Sequence, residues 1–198
     1  AQYIARIQHT TRETRESGQR LFVAVAVPVA VRTAVAEAVS TLHSSAADVR
    51  WTAPASWHLT VAFLGGTDAG PVEPLTTCLR RVASSFEPFT VRLRTSAERG
   101  SRRSVPWIGL EPSEPLTALA GAVRTALREF GLPCEDHAFR PHLTLARARG
   151  RASIPRALAD AYRGPAATWT VPGLELVRSH LGRAGARHET LSAVPFPA

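Results

Sequence analysis

Residues 57–64, Trp57-His58-Leu59-Thr60-Val61-Ala62-Phe63-Leu64, run into Gly65-Gly66, and the same opening returns as His142-Leu143-Thr144-Leu145-Ala146. Each is a short apolar run bounded by turn-forming residues, the pattern of a core strand. A strand has a side-chain period of two, so His and Thr at i and i+2 project from one face while the intervening leucine projects from the other. One face can carry chemistry while the opposite face is buried. An imidazole titrates near neutral pH, and a hydroxyl beside it is a neutral donor for a phosphoryl oxygen. Two such strands side by side would set two histidines and two threonines around one phosphate.

The His-x-Thr pattern alone is short, and it occurs four times among seven histidines, at His9, His58, His142 and His188. Only the copies at His58 and His142 have leucine inside the motif, an aliphatic residue after it and a proline-containing loop before it. His9 lies in a polar stretch, and Glu189 puts a charge inside the last copy. His58 and His142 are therefore the candidate acid and base, with His9 and His188 expected to do little in the chemical step. The matched pair also implies two related lobes, one strand in each.

Working outward, Leu21–Val27 reads as a strand, Pro28 punctuates it, and 31–42 carries apolar residues at helical spacing. Val49–Thr52 is a short strand candidate and 71–86 a helix. Phe89–Thr95 and Val105–Leu110 read as strands around an Arg- and Ser-rich loop at 98–104, and Pro106 points to an edge or a bulge. The helix at 115–130 is closed by Gly131 and Pro133. A strand at 142–146, a short helix at 154–162 and strands at 168–171, 174–180 and 188–193 complete an α+β pattern.

The chain has 198 residues, 44% of them apolar and 20% charged, enough for a real hydrophobic core. Residues 1–19 are polar and aperiodic and read as an extension, leaving 20–198 as one two-lobed domain. Basic residues exceed acidic ones by 24 to 16, and the cations are arginine, which forks onto phosphate oxygens. An anionic partner fits that balance; a solvated arginine-rich surface fits it equally. Cys78 and Cys134 have neither disulfide-framework nor zinc spacing, so a reducing cytoplasm and no metal are expected. No run is long enough to span a bilayer. Leu21–Val31 could pass for a signal core, but Pro28 interrupts it.

At these residues the chain resembles the 2H phosphoesterase superfamily, and within it the RNA 2',3'-cyclic phosphodiesterases once called 2'-5' RNA ligases. The resemblance runs from Arg20 to Phe196. It is carried by RLFVAVAVP at 20–28, RWTAPASWHLTVAFLGG at 50–66, the Trp107 strand, FRPHLTLARAR at 139–149, and the closing pattern of Leu176, Ser179, Leu181, Gly185 and Leu191. It implies a two-lobed α+β fold, with two antiparallel sheets flanking a central cleft and helices outside. It implies hydrolysis of RNA 2',3'-cyclic phosphate ends to 2'-phosphates, without cofactor; a monomer is the separate expectation for the chain. His58 would protonate the leaving 3'-oxygen, His142 would activate water, and Thr60 and Thr144 would hold the phosphate. Arg147 is similar to a phosphate-side arginine and Phe63 to an aromatic near the nucleobase. This chain differs in having His188 where the family commonly has tyrosine, and Trp57 where it has a small or aliphatic residue before the first histidine; both bear on substrate range and the shape of the cleft rim.

Cyclic phosphate hydrolysis takes a proton from water and gives one to an alkoxide, so two groups in opposite protonation states must flank phosphorus. Hydroxyl and guanidinium donors then stabilise charge on the non-bridging oxygens. Arg50 and Arg140 are further candidates for the cleft. A divalent-metal site would want carboxylates at ligand spacing, which neither HLT block supplies. Three other readings stay open: a 2'-5' RNA ligase, a phosphodiesterase for a small cyclic nucleotide, and a non-catalytic RNA-binding module.

Overall fold

The computed structural model describes residues 19–43, 49–65, 72–99, 106–132, 134, 138–148, 156–182 and 185–197. The polar stretch 1–18 with His9 lies outside these, as do Pro71, most of the 98–104 loop, Pro133 and the start of the helix read at 154–162. In chain order the elements are β1 (Gln19–Ala26), α1 (Val29–Ser40), β2 (Val49–Trp51), a 3₁₀ turn (Pro54–Ser56), β3 (His58–Gly65), α2 (Val72–Ala83), β4 (Phe89–Arg99) and β5 (Pro106–Leu110). They continue with α3 (Glu114–Glu129), β6 (His142–Thr144), β7 (Ala146–Ala148), α4 (Arg156–Ala161), β8 (Thr168–Val171), β9 (Gly173–Gly182) and β10 (Gly185–Pro195). Gln19, read above as the last residue of the extension, is instead the first of β1, because its backbone pairs with His180.

Two four-stranded antiparallel sheets, ordered β10-β9-β1-β3 and β6-β5-β4-β8, carry one HLT copy each on an edge strand. The two copies therefore meet across sheets and do not pair side by side. The lobes are not the two halves of the sequence either: the first sheet takes two strands from the N-terminal part and two from the C-terminal hairpin. The strand read at 142–146 is divided. Leu145 donates its N–H to Pro106 and accepts from Thr52, and beyond it β7 leaves β5 to pair with β2. That short β2–β7 ladder ties the lobes together.

Alternation decides which face is buried. Leu21, Val23 and Val25 of β1, and Leu59 and Val61 of β3, enter one core with α1, α2 and α3. Phe22, Ala24 and Val177 form a separate small cluster on the opposite face of the same sheet. α3 buries Leu116, Leu119, Ala120, Val123, Ala126 and Leu127, the spacing of one helical face. Its ends are specified locally: the Ser113 hydroxyl accepts from Leu116 N–H, and Gly131 at φ +86° lets Leu132 donate back to Leu127.

Two further expectations change. β4 runs on through Glu98 and Arg99, read as loop, because its backbone still pairs with Pro106 and Trp107 and the Glu98 carboxylate is held by Arg94 at 3.0 Å. Pro106 opens an interior strand and not an edge; at the first position its missing N–H costs no ladder bond, while its carbonyl accepts from Leu145. The irregularity lies in β4, between Leu93 and Ala97.

Candidate active site

Both HLT strands hold their histidine by the same local device. His58 Nδ1 donates to the Ser56 carbonyl at 2.8 Å, and His142 Nδ1 donates to the Arg140 carbonyl at 2.8 Å. A carbonyl can only accept, so in each neutral ring Nδ1 carries the proton and Nε2 keeps its lone pair. For His58 the device is built by the 3₁₀ turn, where Pro54 presets the backbone and Ser56 and Trp57 donate back to Ala53 and Pro54. Two oriented imidazoles, each with Nε2 left for chemistry, thus stand on facing edges.

The surroundings of the two rings differ. His58 is stacked on Phe22 at 4.5 Å between centroids, with the His188 ring edge-on at 4.7 Å. Burial pushes its pKa from 6.5 down to about 4, with the nearby charges of His188, His142 and Arg147 acting the same way and the Ser56 carbonyl opposing them. In the ligand-free protein at neutral pH, His58 is therefore uncharged. His142 is exposed, beside Trp107 at 5.4 Å. It pairs with Gly109, where a Cβ would come within 3.2 Å of both Trp107 and the Glu98 carboxylate. Gly109 is what leaves Trp107 room beside His142.

Thr60 is half-buried and shares a shallow recess of about 50 Å³ with Phe63, Arg124, Phe139, Arg140 and His142, where the edges of the two sheets meet. Thr144, also half-buried, lies opposite Trp107. Arg147 is exposed on β7 and its charge reaches both His58 and His188. It stands directly opposite Arg50 in the β2–β7 ladder, so the second arginine read from the sequence is brought to the same place.

Phe63 reaches the face of His58 by a route the sequence pattern opposes. Five residues from His58, strict alternation would send it into the core. A bulge at Val61, where Val23 and Ala24 pair with Ala62 and Thr60, resets the register. Phe63 then pairs with Phe22, 6.0 Å between rings, and stays 44% exposed.

His188, set aside because of Glu189, packs on both His58 and Phe22, the latter at 5.2 Å. Glu189 projects to the other face, where it binds His180 at 2.9 Å and Arg178 at 3.6 Å, so the charge inside the motif says nothing about the histidine. The alternation rule applied to β10 would have revealed this. Trp57 is 4% exposed and belongs to the core. A wider open groove of about 560 Å³ lies elsewhere, between α1 and the 3₁₀ turn, and holds no imidazole. Among the described residues no helix is long and apolar enough to cross a membrane, and Cys78 and Cys134 are free thiols.

Two antiparallel sheets that each present one His-x-Thr strand to a shared edge define a 2H phosphoesterase. The chain belongs to the 2'-5' RNA ligase superfamily, whose sequence profile matches residues 27–183. It is 31% identical to an RNA 2',3'-cyclic phosphodiesterase of Thermus thermophilus over 82% of each chain. It is 29% identical to one from Geobacillus stearothermophilus over 88% of this chain, although the match spans only 56% of that protein's length. Among solved structures it is similar to E. coli LigT complexed with 3'-AMP, with a TM-score of 0.73 and 27% identity over 91% of this chain and 99% of that one.

Proposed function

We propose that this protein hydrolyses RNA 2',3'-cyclic phosphate ends to 2'-phosphomonoesters, with His142 as base and His58 as acid. The observation that carries the reading is the pair of carbonyl-clamped imidazoles on the edge strands of two sheets, close enough for the charge of His142 to reach His58. In the reaction, His142 Nε2 takes a proton from water as its oxygen attacks phosphorus. The bond from phosphorus to the 3'-oxygen breaks, and His58 gives the proton that makes this oxygen a hydroxyl. Thr60, Thr144 and Arg147 stabilise the non-bridging oxygens, and Phe63 offers an exposed ring to the terminal base.

His58 must gain its proton as the substrate arrives, because burial keeps it neutral beforehand. A phosphodiester anion in the cleft supplies the opposite charge that His142, Arg147 and His188 withhold. The arginine pair supports an anionic occupant: like charges directly opposite in a ladder repel, and a phosphate between Arg50 and Arg147 removes the repulsion. The relatives named above support RNA as the carrier of that phosphate.

The test is product analysis on an oligonucleotide ending in a 2',3'-cyclic phosphate. The expected product is the 2'-phosphate, with turnover persisting after exhaustive chelation. A 3'-phosphate product, joining to a 5'-hydroxyl strand without hydrolysis, or binding without turnover would each overturn the proposal.

A further inference from the structure

His188 comes from the far end of the chain, yet its ring completes a wall with Phe22 and His58 on the cleft face of the first sheet. Its register explains the position: on β10 it pairs with Ser179 of β9, which pairs in turn with Arg20 of β1, so all three share the face of Phe22. The 3₁₀ turn that clamps His58 also packs against β10, through Ser56 and Ala186. His188 Nδ1 is buried and finds no hydrogen-bond partner among the described residues. A buried imidazole nitrogen without a partner is costly unless the site uses it.

We propose that His188 is a positioning residue for His58: it holds the ring against Phe22 and the Ser56 carbonyl, and it competes with His58 for the proton the site carries before an anionic phosphate enters. This rests on the reading of His58 as a reacting group. The ring contact fixes the imidazole plane, so that Nε2 keeps its aim when the substrate changes the charge around it. The competition follows from the arrangement. Among the described residues, the charged or titratable groups whose fields reach His58 are His188 on β10, His142 on β6 and Arg147 on β7, and none of these is a carboxylate. Arg20 stands in the same row two strands from His188, and Glu189 is turned away to Arg178 and His180. His188 is itself disfavoured as a cation by burial and then by Arg147, with the Ser56 carbonyl opposing, but it is the less deeply buried of the two rings. Where His188 carries a proton, its charge, 4.7 Å away ring to ring, opposes protonation of His58.

His188→Phe keeps a flat ring at the contact and removes the proton. His188→Ala removes both. The readouts are the NMR titration of the His58 Cε1–H, identified by its loss in His58→Asn, and kcat/KM on a cyclic-phosphate oligonucleotide across pH. In folded His188→Phe the His58 midpoint should rise by roughly one pH unit, the scale of a like charge at ring contact in a partly screened site. The His58-dependent limb of the pH profile should move the same way. His188→Ala should lose roughly tenfold or more in rate, most of it restored by phenylalanine, because a displaced ring loses its aim. An unmoved midpoint in folded His188→Phe would overturn the proton competition, and a full rate in His188→Ala would overturn the positioning role. If His58→Ala itself turned over normally, the assignment of His58 would fail, whatever the titration showed.

Discussion

The two HLT strands spell the same tripeptide and clamp histidine to the same kind of carbonyl, but they end in opposite surroundings. His58 lies under Phe22 and His188 within an eight-residue strand; His142 is exposed on a three-residue strand beside Trp107. Local sequence makes the two rings alike in tautomer and aim. What distinguishes them is what other parts of the chain place against them. The contrast teaches that a duplicated motif supplies two equivalent groups, and that tertiary packing makes their surroundings unequal, burying one ring and leaving the other exposed.

The largest effect expected is common to both sides. His58→Ala and His142→Ala should each lower turnover of a cyclic-phosphate oligonucleotide by roughly a thousandfold, with circular dichroism showing an intact fold. A variant that stayed within tenfold of the parent would break the pairing. The next experiment separates the partners. With sulfur in place of the bridging 3'-oxygen the leaving group needs little protonation, so His58→Ala should regain roughly a hundredfold of its loss while His142→Ala stays slow. The reverse pattern would exchange the roles, making the buried neutral ring the base. Recovery of neither would mean that leaving-group protonation does not limit the rate.

Smaller losses should test the threonines. Thr60→Val and Thr144→Val each remove one donor of several, and roughly ten- to hundredfold lower kcat is expected from each. Wild-type kcat in either would remove that hydroxyl from the site.

The smallest effect is on stability. His58 has a folded pKa of about 4 against 6.5 when exposed, so between those values the unfolded chain binds a proton that the folded chain refuses. Stability is untouched by this group above about pH 6.5, falls as pH drops toward 4, and loses nothing more from it below. The ceiling is about 3 kcal/mol, reduced by the ring's partial contact with solvent. His58→Phe, which keeps a ring against Phe22, should unfold less readily than the parent at pH 4.5 in urea titrations, relative to pH 7.5. An equal loss in both proteins would show that His58 is not the source.

By itself the sequence determined the elements and the chemistry they offer. His58 and Thr60 share a face, as do His142 and Thr144, because a strand's period of two is a property of local backbone. The helix at Glu114–Glu129 was equally legible, read as 115–130 with its Gly131 stop, while the Ser113 cap that fixes its start came from the structure. Only the tertiary structure decided what each group meets. It divided the second HLT strand at Leu145, because β2 competes with β5 for its backbone. It turned Phe63 onto the face of His58 through a bulge that alternation does not announce. It brought His188 from the C-terminal hairpin onto His58, where burial and neighbouring cations hold the imidazole neutral. A histidine's pKa follows from the water and charge around it, and those come from residues remote in the chain.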